Sequence, residues 1–152
     1  MFDSARCSFT TRVKDDPLLP SIERLRRALA SRASGQRWVK ALGGALARTE
    51  HALRHHLDLS EAPDGPLAEV RLTQPPLTRQ TAFVARRFRS LLENSTALQR
   101  EIHRAAKMGN GVVDVEKIRR RAERFLAGCQ QAREAETVLL LDSINMDIGV
   151  GD

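Results

Sequence analysis

The chain has 152 residues, 41% of them hydrophobic and 29% charged, which is the balance of a globular domain that can bury its own core. Its formal net charge is +6, but 19 acidic residues are interspersed among 25 basic ones, and this argues against a one-sided nucleic-acid-binding domain. Since no apolar run approaches the roughly 20 residues of a membrane span, we expect no membrane partner.

The two cysteines, Cys7 and Cys129, form neither a CxxC motif nor a metal-finger spacing. Because they lie far apart in a chain rich in helix-forming Ala, Leu and Arg, we expect reduced thiols and a cytoplasmic location. The N-terminus lacks the apolar core of a secretion signal. Residues 1–19 are therefore predicted to be a polar arm, and residues 20–152 to be one helical domain.

The first predicted helix begins at Pro20 and Ser21, with Ser21 as its capping candidate. Apolar residues then recur at helical spacing, and Gly35 is predicted to end the segment. Its inner face comprises Ile22, Leu25 and Leu29.

A second helix is predicted over residues 36–58, because the residues of one face recur at steps of three and four. Glycine weakens a helix by roughly 1 kcal/mol relative to alanine, so we interpret Gly43 and Gly44 as a close helix contact or a local bend. The inner stripe comprises Trp38, Leu42, Leu46, Thr49, Leu53 and His56.

Residues 59–76 contain four prolines and are predicted to be a connection with one helical turn at 67–71. Pro75 and Pro76 open a third helix, which ends at residues 108–111 with Gly109 as its C-cap. Its inner stripe comprises Val84, Phe88, Leu91, Ser95, Leu98, Ile102 and Ala105.

A fourth helix is predicted to start after Asp114, which is its N-terminal cap. Its inner stripe comprises Ile118, Ala122, Phe125, Cys129, Ala132, Glu136, Leu139 and Ser143. Four amphipathic segments with mostly short connections predict an all-α fold, an antiparallel four-helix bundle.

Two polar residues interrupt these apolar stripes, His56 in the second helix and Glu136 in the fourth. A buried carboxylate is costly unless it is paired, and an imidazole on a facing helix is a suitable partner, so we expect the two side chains to meet. Three interpretations stay open: a structural contact, a solvated end of the bundle, or a metal site. The other histidines, His51, His55 and His103, are predicted to lie on the surface.

Basic residues cluster at Arg26–Arg27, at 86–89 and at 119–124, in each case among acidic residues and stripe positions. We interpret these clusters as solvated helix faces, and nucleic-acid binding would require them to merge on one side of the bundle. Nucleotide-binding loops and hydrolase motifs are missing from the sequence, so we expect no enzymatic activity.

The segments "AREAETVLLLDSINMDIGVGD", "WVKALGGALARTEHALRHHLDLSE" and "VARRFRSLLE" resemble parts of bacterial hemerythrin-like (HHE cation-binding) four-helix proteins. The resemblance covers about residues 20–152, and the C-terminal segment is its most specific part. It implies that the leucines at 139–141 pack the last helical turns and that "DIGVGD" forms a capped exit from the helix.

Working members of that family bind two irons through histidines from all four helices and bridging carboxylates. Aligned on these motifs, Phe88 and Ala132 replace two ligand histidines, Arg133 replaces a neighbouring Glu, and no histidine precedes His51. His56 and Glu136 are kept, while Ser60, followed by Glu61, stands at an acidic position.

The resemblance therefore implies a non-catalytic bundle that has lost its di-iron site, carries no cofactor, and serves as an interaction or regulatory module with a protein partner. One alternative is weak binding of a metal ion, iron, through His56, Glu136 and Glu61. The other is a basic bundle that binds nucleic acid. Monomer and dimer are both compatible with the sequence.

Overall fold

The computed structural model describes residues 16–33, 35–107 and 114–150, and within these ranges it contains helices and no strand. Five α-helices and one short 3-10 turn follow one another in the part of the chain that the structure describes. They are α1 (Leu18–Ala30), α2 (Gln36–Glu61), α3 (Pro66–Thr73), the turn at Pro75–Leu77, α4 (Thr78–Lys107) and α5 (Val115–Val150). No helix in the described ranges is both long and apolar enough to cross a membrane.

The four long helices form a bundle in which α2 packs against α1 and α4, while α5 packs against α4 and α1. The short helix α3 covers one end, where it contacts α2, α4 and α5. The predicted stripes of all four helices line the shared core, and the largest side chains with no exposure include Phe88, Leu42 and Leu46. The helical periodicity of the sequence thus identified the buried faces correctly.

Hydrogen bonds tie the helix ends together. At one end of the bundle, Trp38 Nε1 donates to the carbonyl of Ala28 at 2.9 Å, and Gln36 Nε2 donates to the carbonyl of Ala105 at 3.4 Å. Arg119 donates to the carbonyl of Leu29 at 2.6 Å and lies over the Trp38 ring at 4.3 Å. A cation at the carbonyl end of α1 also interacts favourably with the helix dipole.

The first helix differs from its predicted limits. It begins at Leu18, two residues earlier than expected, so Ser21 lies inside the helix and caps nothing. Instead, the Asp16 carboxylate accepts a hydrogen bond from the backbone N–H of Leu18 at 2.9 Å, which satisfies one of the free donors of the first turn. The helix ends at Ala30, and Gly35 instead precedes α2 with a positive φ of 87°.

Other local predictions are confirmed. Asp114 accepts a hydrogen bond from the backbone N–H of Lys117 at 3.1 Å, as an N-terminal cap does. Gly43 marks a close helix contact, because a Cβ at this position would lie 3.1 Å from Ile102 Cγ2 of α4. The predicted cap Gly109 and most of the predicted arm, residues 1–15, lie outside the described residues.

The C-terminal segment agrees with the expectation in part. Helix α5 continues through Gly149 to Val150, and the last two residues of "DIGVGD" lie outside the described residues. Of the three consecutive leucines, Leu139 is buried, whereas Leu141 is 54% exposed. Three successive helical residues point in directions 100° apart, so they cannot all face one core.

Candidate functional site

The two polar residues that interrupt the stripes meet inside the bundle, as predicted. His56 Nε2 on α2 lies 3.0 Å from Glu136 Oε1 and 2.9 Å from Glu136 Oε2 on α5. Both side chains are only about one-tenth exposed, at 12% and 11%. At this depth neither group is well hydrated, so each depends on the other for its hydrogen bonding.

A second carboxylate, which the sequence analysis missed, completes the arrangement. Asp16 Oδ2 lies 2.5 Å from His56 Nδ1, on the opposite edge of the imidazole ring. Asp16 also caps α1 through its other oxygen, so one side chain fixes the helix start and the histidine together. The signal in the sequence was Asp16-Pro17, a capping residue followed by proline, directly before an amphipathic segment.

The two carboxylates control the charge of the imidazole. Burial by itself lowers the pKa of His56, but the hydrogen bonds and negative charges of Asp16 and Glu136 outweigh it and raise that pKa to about 9. For Asp16, burial acts to raise the pKa, yet the hydrogen bonds from His56 and the Leu18 N–H leave it below its ordinary value. At neutral pH the site is therefore an imidazolium held between two carboxylates.

Apolar side chains fill the space beside this triad. The Phe88 ring of α4 is fully buried and lies 5.1 Å from the imidazole, centroid to centroid, at an angle of 47°. Ala132 and Cys129 of α5 are buried without exposed surface. Burial raises the pKa of the Cys129 thiol to about 12, so it stays protonated and behaves as a small core residue.

Glu61, the third candidate ligand, lies elsewhere. Its carboxylate accepts hydrogen bonds from Arg89 of α4 at 2.5 and 2.6 Å, and Arg71 of α3 is 3.7 Å away. It therefore belongs to an ion-pair cluster between α2, α3 and α4 rather than to the site at His56. The neighbouring Ser60 is buried.

These residues do not fit a di-iron centre. Asp16 and Glu136 bind opposite nitrogens of one ring, so with His56 between them the two carboxylates cannot converge on a shared ion. Phe88 and Ala132 carry no donor atom. Within the described ranges, no three or more His, Cys, Asp and Glu side chains are grouped as metal ligands.

The remaining histidines of the sequence are on the surface. His51 and His55 lie on the exposed side of α2, and His103 is exposed late in α4, as predicted. None of the three faces the core layer that contains His56.

Two of the three basic clusters come together, which the sequence could not decide. Arg86 and Arg87 of α4 line the same groove as Arg121 and Arg124 of α5. This groove, of about 800 Å³, has an apolar floor that includes Leu98 and Phe125, and none of the described residues that line it is acidic. The basic residues of these two helices therefore do form one surface, although Arg121 is engaged by Glu101 of α4.

Comparisons with protein-family models, with curated proteins and with solved structures found no match for this chain. The resemblance to hemerythrin-like proteins therefore stays a prediction from the sequence.

Proposed function

We propose that this chain is a non-catalytic, hemerythrin-like helical bundle whose ligand layer has been replaced by packing and a buried ionic triad, and that it serves as an interaction module. The observation that carries the proposal is the hydrogen bonding of both ring nitrogens of His56 by carboxylates. A protonated imidazole has no lone pair to offer a metal ion. His56, the one histidine among the described residues that lies inside the bundle, therefore has a structural role.

We also propose that the four long helices alternate in direction, as in an up-and-down bundle. The pattern of end-to-end contacts supports this: the end of α1 meets the starts of α2 and α5, and the start of α2 meets the end of α4. The opposite end joins Gln74, before α4, to Asp147, late in α5. Short connections between long helices favour the same arrangement.

The replacement of ligands by apolar side chains supports the loss of a metal centre. Phe88 and Ala132, at positions where the resemblance implies histidines, are both fully buried. A large apolar side chain on α4 and a small one on α5 are the replacements that conserve volume in a close-packed core. A cytoplasmic location also remains part of the proposal, since Cys129 is a free buried thiol.

Metal analysis tests this function directly. The purified protein should be colourless, and after incubation with excess Fe(II) under nitrogen and removal of unbound metal it should retain no stoichiometric iron. About two irons per chain, with absorption typical of an oxo-bridged pair once the loaded protein is exposed to air, would show that the ligand layer works after all.

Two histidine variants distinguish weak binding of one metal ion at His56 from adventitious binding at the surface. If one iron binds per chain and His56→Leu abolishes it, while the surface variant His103→Leu does not, the metal-binding alternative is correct. If neither variant changes the amount of bound iron, the metal binds adventitiously at the surface.

A second candidate function, binding of nucleic acid, is favoured by one observation: the arginines of α4 and α5 share a groove. Its apolar floor offers nothing to a phosphate backbone, which is why we place it second. Binding to duplex DNA should weaken steeply with salt if it is specific to this surface, and Arg86→Glu with Arg124→Glu should abolish it. Arg48→Glu, an exposed arginine of α2, is the matched control.

A further inference from the structure

The charged side chains of helix α5 are segregated along its length, with basic residues near its start and acidic residues near its end. Residues 117–124 contain five basic side chains and one acidic side chain, whereas residues 134–147 contain four acidic side chains and no lysine or arginine. The helix dipole does not explain this order, because it favours acidic residues near the N-terminus and basic ones near the C-terminus. A second copy of the helix in the reverse direction would be complementary to it.

The exposed side of α5 has the same symmetry. Counted from Gln131, Arg120 and Asp142 each lie eleven residues away, Arg124 and Val138 seven, and Ala127 and Ala135 four. At 100° per residue, all six lie within about 40° of the direction of Gln131, so they form one stripe. We call this stripe, with Gln131 at its centre, the palindromic stripe.

The palindromic stripe is exposed to solvent on the surface of the bundle. Six of its seven residues are exposed, among them Val138 at 51%, and Ala135 is half-buried. Next to it, Phe83 of α4 is also 51% exposed and lines a shallow groove with Val138 and Asp142. This leaves two large apolar side chains in solvent beside residues whose charges are of opposite sign.

The charges of the stripe have no ion-pair partner among the described residues. Arg120, Arg124 and Asp142 form no ion pair with any residue that the structure describes, nor does the adjacent Glu134. By contrast, Arg87, which lies near the centre, donates to Gln131 at 3.0 Å and its guanidinium lies 5.6 Å from the Phe83 ring centroid. The unpaired charges are thus those at the two ends of the stripe.

We propose that a second copy of this chain docks on the palindromic stripe, with the two α5 helices antiparallel and the two-fold axis at Gln131. Arg120 then faces Asp142 of the other copy, and Arg124 faces Val138 with Glu134 one turn away. Ala127 faces Ala135, so small side chains meet near the axis and allow the helices to approach closely. A two-fold interface makes each of these contacts twice.

The stripe favours a second copy over the other occupants. The chain's own residues 1–15 carry Arg6, Arg12 and Lys14 against Asp3 and Asp15, so they match only the acidic half of the stripe. A nucleic acid would match only the basic half, and Asp142 with Glu134 would repel it. Only a partner with both signs in reverse order is complementary along the whole length.

The inference rests on the proposed function in that it names the partner of the interaction module. Its test is the mass of the particle in solution, whereas the proposed function is tested by metal analysis. A monomeric, metal-free protein would therefore contradict the inference alone, and a dimeric protein with two irons per chain would contradict the proposed function alone.

Charge reversal provides the sharpest experiment. Sedimentation equilibrium of the full chain from about 1 µM to 1 mM should give a monomer–dimer equilibrium. Arg120→Asp and Asp142→Arg should each weaken dimerisation by roughly tenfold or more, because each places two like-charge contacts in the interface. An equimolar mixture of the two variants should dimerise again, since the mixed pair restores opposite charges at both contacts.

Matched controls come from the exposed side of α2. Arg48→Asp and Asp58→Arg change the net charge by the same amounts and lie outside the stripe, so both should dimerise like the wild type. Circular dichroism of each variant should show unchanged helix content. If the wild type stays monomeric to about 1 mM, or the mixture of stripe variants does not recover association, the proposal is wrong.

Cross-linking locates the axis independently. In a Cys7→Ser background, Gln131→Cys should form a disulfide-linked dimer on mild oxidation, because residues on the axis approach their own copies. Ala41→Cys, on the exposed side of α2, should not cross-link. Equal cross-linking of both variants would mean random collision rather than a defined interface.

Discussion

His56 and Glu136 lie in direct contact across the bundle, with the imidazole Nε2 within 3.0 Å of both carboxylate oxygens, although 80 residues separate them in the chain. Since Asp16 binds the other ring nitrogen, this contact is one half of an ionic triad that joins the start of α1 to α2 and α5. A buried ion pair is weak proof of net stability, yet removal of one partner leaves the other unpaired and is strongly destabilising.

The energetic coupling of the pair can be measured by a double-mutant cycle. Glu136→Gln should lower the free energy of unfolding by about 1–3 kcal/mol in the wild type, because it weakens a charged hydrogen bond in a buried site. In a His56→Leu background the same change should cost much less. Urea unfolding of the four proteins provides the values, and strictly additive effects would mean that the residues act independently.

Stability should depend on pH through His56. Its pKa is about 9 in the folded chain and near 6.5 when unfolded, so the folded state holds the proton more tightly. This contribution is complete below pH 6.5 and is lost as pH rises through 9, by up to roughly 3 kcal/mol. Denaturant midpoints between pH 6 and 10 should fall more for the wild type than for His56→Leu, and parallel profiles would contradict the assignment.

Asp16 makes the opposite contribution to the pH dependence of stability. Its pKa is lowered on folding, so its contribution is present above the ordinary value of 3.8 and is lost as pH falls through the folded value. Asp16→Asn should remove one counter-charge and lower the pKa of His56, which NMR titration of the imidazole would detect. Asp58→Asn, on the exposed side of α2, should leave the pKa of His56 unchanged.

Two phenylalanines of α4 provide a test of the packing. Phe88 is fully buried against the imidazole, so Phe88→Ala should cost about 3–5 kcal/mol, the usual range for a large core deletion. Phe83 is 51% exposed, so Phe83→Ala should lower the free energy of unfolding by less than about 1 kcal/mol. Comparable losses at both positions, measured by urea unfolding, would mean that the orientation of α4 is incorrect.

The adjacent glycines of α2 should respond differently to alanine. At Gly44 an added Cβ meets nothing within 4 Å, so Gly44→Ala should stabilise the fold by about 0.5–1 kcal/mol through the lower entropy of the unfolded chain. At Gly43 the same Cβ lies 3.1 Å from Ile102 Cγ2, and the crowding should offset the gain. Thermal unfolding of the two variants should therefore rank Gly44→Ala above Gly43→Ala.

The buried faces of the helices could be predicted because core residues repeat with the helical period. The stripe from Val84 to Ala105 on α4 is buried at each expected position, and so is the stripe from Ile118 to Ser143 on α5. The same periodicity placed His56 and Glu136 on inner faces, and the cost of an unpaired buried carboxylate then predicted their contact.

The ends of the helices were less predictable. The start of α1 depends on Asp16, whose capping bond competes with the signal from Pro20 and Ser21 farther along. At the C-terminus, α5 includes Gly149 and continues to Val150, because a single glycine costs a helix only about 1 kcal/mol. Such limits are hard to predict because a helix end is decided by a few weak local interactions.

What the sequence determined by itself is therefore the all-helical class, the inner faces and the polar pair, since each follows from local periodicity and the cost of burying charge. Tertiary structure alone decided which groups from distant segments converge. It brought Asp16 to His56, placed Glu61 with Arg89 instead, and joined the arginines of α4 and α5 in one groove. These contacts depend on the relative rotation and height of packed helices, which one-dimensional spacing does not encode.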